Sequence, residues 1–136
     1  MTLFTNRYKD FRREQGIPVR ITYGAPRYRL QYPLNFQAKL LTPGSWFLKG
    51  TDEEFTRRYY DMLDHNGLDA ITEEFNRIIE KTGESNLVLL CFDDVRKGLC
   101  HRTLFAKWFE ARTGQKVREL QEGFDNGERE HENVLF

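Results

Sequence analysis

Two short runs concentrate the reactive side chains of this chain: Cys91-Phe-Asp-Asp94 and Cys100-His-Arg-Thr103. Three chemistries suit them. First, a helix beginning near Cys100 would present free N–H groups and partial positive charge. Arg102 adds a bidentate fork and His101 a titratable donor, so phosphate or carboxylate would bind there. Second, a thiol at such a helix start beside His and Arg is drawn toward thiolate. Cys100 is then a candidate nucleophile, with His101 as general acid or base. Third, Cys91, Cys100 and His101 are zinc-ligand types, but their spacing matches no common zinc motif, and we expect neither metal nor cofactor.

Other thiol chemistries fit less well. A phosphatase-type loop needs Arg six positions after Cys; Arg96 lies five after Cys91, and Ala106 stands six after Cys100. A structural disulfide is not expected without a secretory context. A redox pair at this separation would be unusual. The plainer reading of the cysteines is preferred: Cys91 as buried strand filler and Cys100 as a small cap residue. Asp93-Asp94 reads as a solvated turn sooner than as a Mg²⁺ or base site. His65 and His131 read as surface residues.

The elements that would position these groups follow from periodicity. Leu3-Phe4-Thr5 is a first strand, and Asn6 caps a helix over about 7–15 that turns Tyr8 and Phe11 inward and ends at Gly16. Pro18 opens a second strand over Val19–Tyr23, broken by Gly24-Ala-Pro26. Residues 24–50 lack periodicity and carry Tyr28, Tyr32, Phe36, Trp46 and Phe47. They read as a packed lid or wall, or as a short helix near Asn35–Leu41, with aromatics serving as core filler sooner than as a ligand platform. Thr51-Asp-Glu-Glu54 opens a helix with Phe55, Tyr59, Met62 and Leu63 on one face. A second helix carries Ile71, Phe75, Ile78 and Ile79 and stops at Gly83. Asn86–Phe92 is continuously apolar, as in a central parallel strand covered on both faces. Leu104, Phe105, Trp108 and Phe109 line a helix ending at Gly114, and Val117–Leu120 is a last strand. The order β-α-β-irregular-α-α-β-α-β predicts an α/β three-layer sandwich with a small, mostly parallel sheet, Rossmann-like or flavodoxin-like.

In such a sheet, ligands sit outside the carboxyl ends of the strands. Asn6, Tyr23, Arg27, Cys91 and Asp93 therefore join Arg102 and Thr103 as ligand-binding candidates, beside His101 and Cys100 as catalytic ones.

The 136 residues read as one α/β domain over 1–120, followed by an acidic tail over 121–136. No apolar run reaches the roughly 18 residues of a membrane helix, and the N-terminus leaves no room for a signal peptide, so a soluble cytoplasmic protein is expected. Twenty-one Lys and Arg balance 21 Asp and Glu, but unevenly: residues 1–40 carry eight basic and two acidic side chains, whereas residues 121–136 carry five acidic ones against Arg129. A duplex-DNA binder would be basic overall, so nucleic acid is possible but not favoured.

The stretch Leu87-Val-Leu-Leu-Cys-Phe-Asp-Asp94, followed by Leu99-Cys-His-Arg-Thr-Leu-Phe-Ala-Lys-Trp-Phe109 and Gly114-Gln-Lys-Val-Arg-Glu-Leu120, resembles the domain-of-unknown-function 488 family. Ile21-Thr-Tyr-Gly-Ala-Pro-Arg27 resembles that family's second strand. The resemblance spans most of residues 3–120, with its specificity in the Cys-His-Arg region. It implies an α/β fold and a polar site around Cys91, Cys100, His101, Arg102 and Arg27, and implies no activity.

The reading that follows is a small protein that binds a phosphorylated or nucleotide-like anion at the Cys-His-Arg helix start and hydrolyses or transfers on it. Arg102 and Arg27 would grip the anion, and the N–H groups of Arg102 and Thr103 would complete the cradle. The alternatives are a non-enzymatic sequestering or interaction protein and a thiol enzyme using Cys100.

Overall fold

The computed structural model describes residues 1–124, except for the side chains of Phe47 and Leu48. The C-terminal acids other than Glu122, and Val134-Leu135-Phe136, lie outside the described residues, as does His131. Five strands form one sheet: β1 (Thr2–Arg7), β2 (Ile17–Arg20), β3 (Phe36–Gln37), β4 (Asn86–Cys91) and β5 (Arg118–Glu119). Their spatial order is β3-β2-β4-β1-β5, and every pairing is parallel. Among the described residues, three α-helices complete an α/β sandwich of the Rossmann or flavodoxin kind: α1 (Asp52–Asn66), α2 (Leu68–Thr82) and α3 (His101–Thr113). Among the described residues, no helix is long and apolar enough to cross a membrane.

The apolar run of β4 occupies the sheet centre, between β1 and β2, with Leu87 through Cys91 all buried. Alternation splits the run between two cores. Leu87 and Leu89 join Leu3, Val19 and Ile21 beneath the helices, where Tyr59, Leu63, Ile71, Phe75, Phe105, Trp108 and Phe109 meet them. Val88 and Leu90 face the opposite side, covered by Tyr8, Phe11 and Tyr32. That second layer is irregular chain. Phe11 and Tyr32 meet edge to face at 4.6 Å, and the Tyr32 hydroxyl donates to the Tyr8 carbonyl at 2.6 Å.

This cover corrects one expectation. No α-helix spans 7–15; Arg7 stays in register with Cys91, Tyr8 donates its N–H to the Cys91 carbonyl at 3.1 Å, and only Arg13–Gln15 forms a 3₁₀ turn. A helix this short is marginal unless packing supports it, and here Tyr8 and Phe11 bury themselves without one. Asn6 is accordingly not a cap. It is buried in β1, with its amide donating to Gln15 Oε1 at 3.1 Å. At Gly16, φ is 141°, and a Cβ would lie 2.5 Å from the Asn86 carbonyl oxygen, so glycine is required for this close approach.

The second strand lies earlier than expected, Ile17–Arg20 instead of Val19–Tyr23, with its register to β4 ending at Arg20 opposite Leu90. The segment after it holds β3 and two further 3₁₀ turns, Lys39–Leu41 and Ser45–Leu48. The helices follow their patterns. Thr51 Oγ1 accepts the Glu54 N–H at 3.2 Å, capping α1, and α2 and α3 each end at a left-handed glycine, Gly83 and Gly114.

Phe75 is fully buried and packs edge-on against Phe105. We expect Phe75→Ala to cost about 3–5 kcal/mol. In urea unfolding, the midpoint should fall with the slope unchanged; a loss within about 1 kcal/mol would mean that this packing is not as described.

Candidate active site

β2 continues toward the β3 edge of the sheet, whereas β4 continues toward the β5 edge. Adjacent strands whose connections diverge leave a crevice beyond their carboxyl ends. A cavity of about 260 Å³ lies there. Thr22, Tyr23 and Gly24 line it from the β2 side, and Cys91, Phe92 and Asp93 from the β4 side; Lys49, Thr51, Asp52 and Phe55, around the start of α1, close it together with His101. The irregular 24–50 segment therefore contributes wall residues at Pro43, Lys49 and Gly50. Its aromatics divide: Tyr32 is buried, Trp46 packs on Phe55 at 5.5 Å, and Tyr28 is exposed.

The expected site residues divide in the same way. Cys91, His101, Tyr23 and Asp93 line the cavity. Arg27 is exposed and is not among the lining residues, and Asn6 is in the core. Thr103 gives its N–H to the Cys100 carbonyl at 3.0 Å, so that group does not form the expected cradle.

The largest correction concerns Arg102, which is fully buried and absent from the cavity wall. Its Nε donates to Glu119 Oε1 at 2.8 Å. One terminal nitrogen reaches the Asp93 carbonyl at 2.8 Å and Cys100 Sγ at 3.2 Å. The other reaches Gln121 Oε1 at 3.0 Å and Glu119 Oε2 at 3.4 Å. These contacts engage all five guanidinium protons, leaving none to grip an external anion. Burial disfavours the Arg102 charge, but Cys100 and Glu119 outweigh it and the pKa is raised.

Glu119 and Gln121 were missed. Glu119 also accepts from Thr5 Oγ1 at 2.8 Å and from the Gln121 N–H at 3.0 Å. Gln121, expected to begin a polar tail, is buried and joins Arg102 to the loop after β4 through the Val95 N–H at 2.9 Å and Asp94 at 2.6 Å. A usable signal existed for Glu119: alternation places it on the same side of the last strand as the apolar Val117. Asp94 caps its own turn, accepting the Arg96 N–H at 2.9 Å, and its side chain is largely covered instead of solvated.

The thiols meet because the end of β4 and the start of α3 converge, so nine positions of sequence become 2.9 Å between Cys91 Sγ and Cys100 Sγ. Both are free. Cys91 is the thiol on the cavity wall; Cys100 is not among the lining residues. Burial, and after it the Asp93 carboxylate, push the Cys91 thiol up, but the Cys100 hydrogen bond, the Arg102 guanidinium and the Asp93 N–H outweigh them, and the net direction is down. Cys100 is pushed well up, by burial first and then by Cys91.

His101 Nε2 lies 2.7 Å from the Ile21 carbonyl oxygen, which can only accept. That nitrogen therefore carries the proton in the neutral ring, and Nδ1, 3.6 Å from Cys91 Sγ, is left as an acceptor. Tyr59 meets the imidazole edge to face at 5.5 Å and gives its hydroxyl to the Leu41 carbonyl, so it supplies packing and no proton.

Cys91, Cys100 and His101 are also the set that could hold a metal, with their donor atoms within 4.8 Å of one another. Two thiolates on a tetrahedral zinc, each at about 2.3 Å, stand roughly 3.7 Å apart. The observed 2.9 Å lies between that spacing and the roughly 2.05 Å of a disulfide bond.

No protein-family model, no curated protein and no solved structure matches the chain.

Arg102→Ala would take the buried guanidinium away from Glu119, Gln121 and the Asp93 carbonyl. We expect a stability loss of about 3–5 kcal/mol by urea unfolding, with Arg102→Lys restoring only part because a point charge cannot span these partners. A fully stable alanine variant would refute the structural role.

Proposed function

We propose that this protein carries out thiol-dependent chemistry on a small ligand held in the cavity between β2 and β4. Cys91 is the attacking sulfur and His101 handles the proton. The observation that carries this reading is the position of Cys91: it is the thiol at the cavity wall, and its neighbours favour the thiolate. His101 Nδ1 accepts the Cys91 proton and returns it to a leaving group, as a base paired with a nucleophile does.

This moves the nucleophile from Cys100, as the sequence suggested, to Cys91, and assigns Cys100 a supporting part. The resemblance to the domain-of-unknown-function 488 family belongs to this proposal, through the same Cys-His-Arg start of α3. The cavity lies near the small end of the usual ligand range of about 300–1,000 Å³, so a compact substrate suits it better than a dinucleotide. An anionic substrate would meet Lys49, while Asp52 and Asp93 on the same walls favour a ligand of mixed charge over bare phosphate.

Iodoacetamide labelling with peptide mapping tests the assignment. The charged and titratable groups around Cys91 are Cys100, His101 and Arg102 from α3, Asp93 from the following loop, Tyr59 from α1, and Tyr8. We expect Cys91 to label faster than Cys100 in the folded protein, with a half-maximal pH below the ordinary thiol value of about 8.5. Cys100→Ala removes a stabilising hydrogen bond, so the half-maximal pH should rise and labelling below it should slow. Labelling of Cys91 only after unfolding would sink the proposal.

A further inference from the structure

The two sulfurs differ in access. Cys91 meets the cavity, whereas Cys100 touches Cys91 from within the protein and is not among the residues lining the cavity. Displacement at sulfur requires the incoming sulfur opposite the leaving group. A group carried by Cys91 Sγ into the cavity would leave Cys100 Sγ, which is off the cavity wall, 2.9 Å from the atom to be attacked. The Arg102 guanidinium, 3.2 Å from Cys100 Sγ, supplies positive charge where a resolving thiolate must form. Burial is the first obstacle to that thiolate and the charge on Cys91 beside it the second, and oxidation of Cys91 removes the second.

We infer that Cys91 and Cys100 form a redox couple whose substrate is a small peroxide, with Cys91 oxidised from the cavity and Cys100 closing the disulfide from the buried side. This rests on Cys91 being the reactive thiol proposed above.

In the first step the Cys91 thiolate attacks the outer oxygen of ROOH. An S–O bond forms, the O–O bond breaks, and the alkoxide or hydroxide leaves with the proton held on His101. Cys91 is then a sulfenic acid. In the second step the Cys100 sulfur, as thiolate, attacks Cys91 Sγ, an S–S bond replaces the S–O bond, and hydroxide leaves and takes up the Cys100 proton as water. The sum is two thiols plus ROOH giving a disulfide, ROH and water. An external dithiol returns the pair to its reduced form by thiol–disulfide exchange and is itself oxidised. The sulfurs need to approach from 2.9 Å to a bond of about 2.05 Å, a displacement under one ångström.

The experiment treats the full chain with one equivalent of hydrogen peroxide and follows intact mass and thiol count. Wild type should lose two hydrogens and both thiols together, without forming a covalent dimer, and dithiothreitol should reverse the change. Cys100→Ser should stop at a Cys91 sulfenate that dimedone traps, while Cys91→Ser should leave Cys100 reduced. Circular dichroism confirms that each variant is folded, and the wild-type result stands without them. Accumulation of a Cys91 sulfinate while Cys100 stays alkylatable after denaturation would overturn the couple, as would an intermolecular disulfide. If Cys91 labels readily with iodoacetamide yet shows either result, the redox inference falls alone. If neither reagent touches Cys91, both readings fall.

Discussion

The Arg102–Glu119 ion pair holds together pieces that no continuous element joins. Arg102 sits in the first turn of α3, Glu119 in β5, Thr5 in β1, and the Asp93 carbonyl in the loop leaving β4. A buried pair of this kind is a weak source of net stability, because desolvating two charges offsets most of their attraction. Its effect is geometric. With five donors in a rigid plane, Arg102 accepts few arrangements of its partners, and that restriction sets where α3 begins relative to the end of β4. The contact between the thiols and the place of His101 at the cavity wall both descend from it.

The same cluster explains how much of this protein was legible in its sequence. The helices at 52–66 and 68–82 were readable because their apolar spacing, acidic first turns and closing glycines agree. The central strand was readable because an unbroken apolar run has few other homes. Tyr8 and Phe11 were misplaced because helical spacing and simple burial against a sheet face look alike over so few residues. Among site residues, Cys91 and His101 were found by the strand-end rule. Arg102 was seen but given the opposite task, since a guanidinium reads identically whether its acid comes from a ligand or from residue 119 of the same chain. Glu119 alone could correct that: its alternation with Val117 marks it as buried, but nothing local says that its cation stands 17 positions away.

The two faces of the sheet are built on different principles. Three helices cover one, each with its own backbone hydrogen bonds satisfied internally. On the other, aromatic rings do the covering, and their hydroxyls reach back to the chain: Tyr32 to the Tyr8 carbonyl, and Tyr8 to Thr22. Thr22 Oγ1 gives its own proton to the Gly24 carbonyl at 2.7 Å, so Tyr8 must be the donor in their pair. This relay ties the irregular cover to the loop that forms the β2 wall of the cavity. Packing on one face thereby steadies a site on the other.

The pairing of β1 with β4 also bears on how the chain is made. Thr2 aligns with Asn86, so the first strand has no central partner until about 84 further residues exist. At a synthesis rate of about 5–20 residues per second, that interval is roughly 4–17 s. Throughout it, Leu3 and Phe4 belong to a strand whose central ladder is unmade and whose other neighbour, β5, comes later still. A nascent chain of this design cannot complete its core from the N-terminus outward. Its first apolar residues wait until the strand that will occupy the middle of the sheet has emerged.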